Sequence, residues 1–133
     1  MWEYNGREIN SHDDLHPECS DFVYIITYTD GRKYIGKKNI KSVRKRPPLK
    51  GYKRNRRILI SHPFVNYKGS HSLAKDLTIE SKEILYQCST KKAATYLEAA
   101  LLFHHNAIFK DVYLNENISG VFFSTSLDGL LEV

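Results

Sequence analysis

Phe22-Val23-Tyr24-Ile25-Ile26-Thr27-Tyr28-Thr29, then Asp30-Gly31, then Lys33-Tyr34-Ile35-Gly36, is the stretch on which the fold turns. Its opening run is dense in aromatic and β-branched residues, side chains that suit a pleated, half-buried surface. Asp-Gly is favoured in tight hairpin turns, where glycine accepts a positive φ. The stretch therefore predicts a β-hairpin. Tyr24 and Tyr34, ten residues apart, should come near each other across its ladder. Gly36 would let a backbone or a phosphate approach closely, and Lys37 and Arg44 follow as cations beside the tyrosines.

Upstream, residues 1–20 read as a polar, irregular lead-in with Trp2 and Tyr4 as packing anchors. Downstream, Lys37 to Arg46 reads as a short basic helix ended by Pro47-Pro48. A basic loop occupies 49–57, and 58–70 looks irregular, with Pro63 and Gly69 as breakers. Ser70 or Ser72 caps a short helix to about Leu77, and Glu83-Ile84-Leu85-Tyr86-Gln87-Cys88 is a third strand. Ser89 or Thr90 caps a longer helix to about Phe109. There Ala93, Leu97, Ala100, Leu101, His104 and Ile108 fall at helical spacing. In the tail, 112–133, Val121-Phe122-Phe123 suggests a late strand. This order predicts a small α/β sandwich with a meander-like sheet rather than a βαβ array. With no repeat and no linker, one domain is expected over 1–133, with 41–57 as a basic insertion.

Charge is unevenly placed. The net is +5, yet 13 of the 20 Lys and Arg lie between Gly31 and Arg57, where there is no acid, and all 15 acids lie elsewhere with the other 7 cations. Such polarity suits a surface that lies on a polyanion, because Lys and Arg on phosphate release counterions. Pro47, Pro48 and Gly51 rule out one long amphipathic membrane helix through that segment. No run approaches the roughly 20 apolar residues of a bilayer span, and the N-terminus lacks the order of a signal peptide. Cys19 and Cys88, outside any CxxC pattern, read as reduced thiols. A cytoplasmic protein is expected, in the cytoplasm of a host cell if it is phage-encoded.

Familiar site types drop out: no Walker loop, HExxH, deaminase or Gly-x-Ser-x-Gly pattern is present. His104 and His105, adjacent on a helix, diverge by about 100° and cannot share a metal. Glu98 stands apart from the other helical charges. Its helical neighbours are Ala94, Leu101, Leu102 and His105, and a carboxylate among apolar groups is costly unless paired or metal-bound.

Phe22-Val23-Tyr24, nine residues, then Tyr34-Ile35-Gly36 resembles the paired signature of the GIY-YIG nuclease superfamily. Phe22 stands where that signature has its first Gly. Lys37 directly after the second motif, Arg44, Glu98 and Asn115 match, in order, residues that members carry. Trp2-x-Tyr4-Asn5-Gly6, Tyr34-x-Gly36-Lys37-Lys38 and Tyr67-Lys68-Gly69-Ser70 are similar to segments of small phage-encoded homing endonucleases, though the phage group has an aromatic residue at the place of Lys68. The resemblance implies a GIY-YIG-type fold, a three-stranded antiparallel sheet flanked by helices. It also implies metal-dependent hydrolysis of DNA. Glu98 would hold Mg²⁺ or Mn²⁺, Arg44 would clamp the scissile phosphate, and Asn115 would position that phosphate or the Glu98 carboxylate. Tyr24 or Tyr34 would activate water. Free tyrosine has a pKa of about 10, so a nearby cation such as Lys37 would be needed to make a phenolate accessible. His62 and His71 are alternative proton carriers. Contacts to DNA are expected from Lys38, Lys41, Lys45, Arg46, Lys50, Lys53, Arg54, Arg56 and Arg57. RNA is a second polyanion that the sequence leaves open, as is the oligomeric state. Rival readings are a non-catalytic nucleic-acid-binding module and a protein-interaction module on the same fold.

Overall fold

In the computed structural model, which describes residues 1–127 and 129–130, the predicted hairpin forms from β3 (Asp21–Tyr28) and β4 (Lys33–Asn39). The turn is a three-residue loop, Thr29 to Gly31: Gly31 takes φ +90° and donates its N–H to Tyr28 O at 2.9 Å. Tyr24 lies opposite Gly36 and Ile26 opposite Tyr34, so the two tyrosines are diagonal neighbours on one face.

The lead-in is a second hairpin, β1 (Trp2–Tyr4) and β2 (Arg7–Ile9). Asn5 and Gly6 both adopt positive φ, 49° and 79°, as a two-residue turn between right-twisted strands requires. Between the ribbon described next and the helix comes β7 (Ile79–Cys88), which starts four residues earlier than its apolar run suggests. The sheet order is β2-β1-β7-β3-β4, with β1 parallel to β7 and the other pairs antiparallel. The expected three-stranded antiparallel sheet is therefore a five-stranded mixed one. The reason is that Asn5-Gly6 turns the lead-in back into a hairpin.

Lys37 to Arg46 is not a helix. β4 runs on to Asn39, and β5 (Lys41–Arg46) pairs antiparallel with β6 (Arg56–Ser61) as a separate two-stranded ribbon. Val43 on one strand and Ile58-Leu59-Ile60 on the other are residues that favour a ladder, and segment 58–61 is thus ordered rather than irregular. The short helix expected up to Leu77 is a single 3-10 turn, Ala74–Asp76. The long helix, α1 (Lys91–His104), is capped by Thr90, whose hydroxyl accepts the Ala93 N–H at 3.1 Å. It ends five residues short of Phe109 because Asn106 takes a left-handed φ of 49°. Ala94 and Leu102 are its buried residues, while Ala93, Ala100 and His104 of the expected stripe are exposed. A small pair, β8 (Asn117–Ile118) and β9 (Phe122–Phe123), holds the late strand.

Both faces of the sheet are covered. Val23, Ile35, Cys88, Ala94, Leu102 and Ile108 form the core beneath α1. On the other face Trp2, Phe22, Tyr24, Ile26, Tyr28 and Phe64 form an aromatic core. The Trp2 Nε1–H donates to Phe64 O at 2.9 Å. Lys82 is buried too, its ammonium donating to Val65 O and Tyr67 O, each at 2.9 Å. Charge runs across the sheet. Glu8, Glu3 and Glu83 lie side by side in register on β2, β1 and β7, while β4 and the ribbon at the opposite edge are basic. No helix among the described residues is long and apolar enough to cross a membrane.

Candidate active site

Two tyrosines that look alike in the sequence have different environments. Tyr24, on the central strand β3, has no exposed surface, and its ring fills the space above Gly36 where a Cβ would clash with it. Its hydroxyl has no hydrogen-bond partner among the described residues. Tyr34, on the edge strand β4, is half-buried, and its hydroxyl shares a 3.0 Å hydrogen bond with Ser70 Oγ. The ring centroids of the pair are 6.3 Å apart, with Tyr67 5.9 Å from Tyr24 and His71 5.8 Å from Tyr34.

Both phenols are held above their ordinary pKa. For Tyr24 the first cause is burial, followed by Tyr67, Tyr34 and the negative charge of Glu98. For Tyr34 burial again leads; the Ser70 hydrogen bond pulls the other way, and Glu98 and Tyr67 raise it. The expectation that Lys37 eases phenolate formation is not met. The Lys37 ammonium donates to Thr95 Oγ1 on α1 at 2.5 Å and acts on Glu98 instead. Glu98 is half-buried on α1, its carboxyl raised by desolvation and lowered by Lys37. Although α1 packs under the far face of the sheet, the charge of Glu98 reaches both hydroxyls. Glu98 and Lys37 thus stand on the α1 side of β4 and the two tyrosines on its aromatic side, and they act on one another through charge.

Asn115 is buried and belongs to the β4 edge, and its amide bonds to backbone. Its Oδ1 accepts the Ile35 N–H at 3.0 Å and its Nδ2 donates to Ile35 O at 2.7 Å. Among the described residues these bonds tie Asn115 to the backbone between Tyr34 and Gly36, and no described hydrogen bond joins it to Glu98. Arg44 stands exposed on β5 opposite Ile58, and no described hydrogen bond or ion pair ties it to the tyrosines or to Glu98. The ribbon and its loop also carry Lys41, Lys45, Arg46, Lys50, Lys53, Arg54, Arg56 and Arg57, whereas Lys38 lies on β4 with its ammonium 4.8 Å from the centre of the Tyr67 ring.

The two histidines differ. His62 Nε2 is 2.8 Å from Ser42 Oγ, which also donates to Asn39 Oδ1 at 2.7 Å, so His62 pins the root of the ribbon. His71 Nδ1 accepts the Leu73 N–H at 3.1 Å, leaving Nε2 toward Glu116 at 3.7 Å. Sequence reasoning missed Ser70 and Thr95, polar neighbours whose role comes only from long-range packing. Cys19 and Cys88 are free and buried.

The family model described as putative endonuclease segE, GIY-YIG domain, matches residues 2–118. The chain belongs to that GIY-YIG family. The match takes in β1 at one end and β8 at the other, so it includes both hairpins, the ribbon and α1. GIY-YIG membership makes nuclease chemistry the general expectation for the chain. No curated protein and no solved structure matches the chain.

Glu98 suits a hard divalent cation. Among the described residues no group of three His, Cys, Asp or Glu is placed to hold a metal ion. Mg²⁺ commonly keeps several waters and takes one or two carboxylates plus substrate phosphate. A carboxyl already raised by desolvation gains from a cation beside it.

Proposed function

We propose that this protein is a metal-dependent DNA endonuclease, of homing or DNA-processing type, whose reacting phosphate lies at the β4 edge beside Tyr34. What supports the reading is that the charge of Glu98 acts on Tyr34, the one signature tyrosine with exposed surface, while Lys37 acts on Glu98.

Glu98 would hold Mg²⁺ or Mn²⁺ with water completing the shell. When bound, that cation supplies positive charge against the phosphate and the leaving oxygen. Tyr34 is a neutral phenol in the resting protein. Its oxygen, held by the hydrogen bond it shares with Ser70 Oγ, would receive and orient the attacking water. Hydrolysis adds water across one P–O bond: the attacking oxygen gives up a proton and the leaving oxygen takes one up, both exchanged with solvent at the open rim. Tyr24 shapes the cleft from below, because a tyrosine without exposed surface does not touch the water. Lys37 balances the Glu98 charge, and Asn115 holds the strand that presents Tyr34.

Arg44 and the ribbon cations would take the flanking phosphates, with the acidic β1–β2 edge turned away from the polyanion. Purified protein with Mg²⁺ or Mn²⁺ should nick or cut DNA, and Glu98→Ala and Tyr34→Phe should abolish cutting with the fold intact. Two variants that cut as well as the wild type would sink the assignment. A protein that binds DNA with no cutting under any metal would instead be the non-catalytic module.

A further inference from the structure

The β5–β6 ribbon displays an apolar pair that its own fold does not use. Val43 and Leu59 stand opposite each other in the ladder, and each is 62% exposed. Because side chains alternate along a strand, this pair shares its face with Lys41, Lys45 and Arg57. The opposite face holds Ser42, Ile58 and Ile60, all partly covered, with Arg44, Arg46 and Arg56 exposed toward its outer end. The free face is therefore two aliphatic side chains set among three cations, on an arm whose strands span about 20 Å each.

Resting on the nuclease reading above, we propose that this face enters the major groove of duplex DNA and that Val43 and Leu59 contact thymine 5-methyl groups. Groove size favours it. A major groove about 12 Å wide admits a two-stranded ribbon without deformation, whereas a minor groove about 6 Å wide has to be opened at a cost to take one. Chemistry narrows it further. Cations on either side serve phosphates without reading sequence, while the thymine methyl is the apolar group that base edges present on the floor of that groove. An A-form duplex is a poor fit, since its major groove is deep, narrow and closed to side chains. A second copy of the chain is also a poor occupant. Pairing this patch with itself would set Lys41, Lys45 and Arg57 against the same cations, and like charges oppose association.

The test compares two duplexes of one sequence, one with thymine and one with uracil, which lack only the methyls and keep the pairing. Binding is titrated without divalent metal so that cutting does not intervene. The wild type should prefer the thymine duplex by about fourfold per contacted methyl and should bind double-stranded RNA more weakly than either. The Val43→Ser/Leu59→Ser variant should lose the thymine preference. The Lys45→Ser/Arg57→Ser variant should keep it while weakening both duplexes and flattening the salt dependence. Equal wild-type affinity for the two DNA duplexes overturns this inference and leaves the nuclease reading standing. No binding to any duplex overturns both. If the Val43→Ser/Leu59→Ser variant loses self-association and keeps the thymine preference, the pair is a contact between copies and the inference falls.

Discussion

The Tyr24 ring occupies the space that any side chain at position 36 would need. The second signature motif ends in glycine, then, because the first signature tyrosine lies across it. Gly36→Ala should force Tyr24 aside and cost about 1–3 kcal/mol, as overpacking in a core does. Urea unfolding measures it, and a stability equal to wild type would mean the ring packs elsewhere.

Tyr24→Phe gives the complementary result. Its hydroxyl is buried without a described partner, and leaving such a group unpaired costs about 1–3 kcal/mol. Removing it should hold or raise the melting temperature. A clear loss of stability would reveal a partner for that hydroxyl.

Glu98→Gln should trade function for stability. The carboxyl is raised in the folded state by desolvation, so its contribution to stability is full below the unfolded carboxylate range and is lost as pH rises through the folded value. As pH rises through the folded value Glu98 becomes a poorly solvated charge, and the Gln variant should then melt higher than the wild type. The advantage should vanish in acid. Cutting should fall by about 10²–10³ or more, the range seen when one charge-stabilising group is removed. Melting curves at neutral and acid pH check the sign, and a lower melting temperature at neutral pH would contradict it.

Asn115→Ala should behave as a structural variant. It leaves the Ile35 N–H and C=O without their partners at a buried strand, costing about 2–5 kcal/mol for two lost hydrogen bonds. Thermal unfolding and cleavage should decline together. Full stability with lost cutting would restore the direct role in chemistry that the motif order suggests.

Arg44→Ala should separate binding from chemistry. From its exposed place on β5 it should raise KM and reduce the salt slope of binding by about 1, with little change in kcat. A fall in kcat with KM unchanged would place Arg44 at the reacting phosphate.

The β3–β4 hairpin, the strand before α1 and the cap at Thr90 were legible because each rests on local signals: β-branched runs, a turn dipeptide, a capping hydroxyl. Asn5-Gly6 was equally legible and was passed over because its flanking strands are only three residues long. The first strand of the ribbon reads as a helix because Lys and Arg are good helix formers, and Ile58-Leu59-Ile60, which decides the matter, lies a loop away. At the site, order along the chain selected Tyr24, Tyr34, Lys37, Glu98 and Asn115. It could not tell the sealed tyrosine from the reachable one, nor foresee that Asn115 spends its amide on backbone. Those distinctions depend on which strand is central and which is at the edge.

The parallel pairing of β1 with β7 has a consequence for how the molecule assembles. Each terminal-side hairpin of the sheet, β1–β2 and β3–β4, closes over a few residues and can form early by itself. Neither touches the other in the ladder. β7, the last of the five strands to be synthesised, wedges between them and joins both. Cooperative folding should therefore wait for β7, with hydrogen-exchange protection of both hairpins appearing in one step when Ile84 docks. A chain in which one hairpin gains full protection long before the other would show a different order.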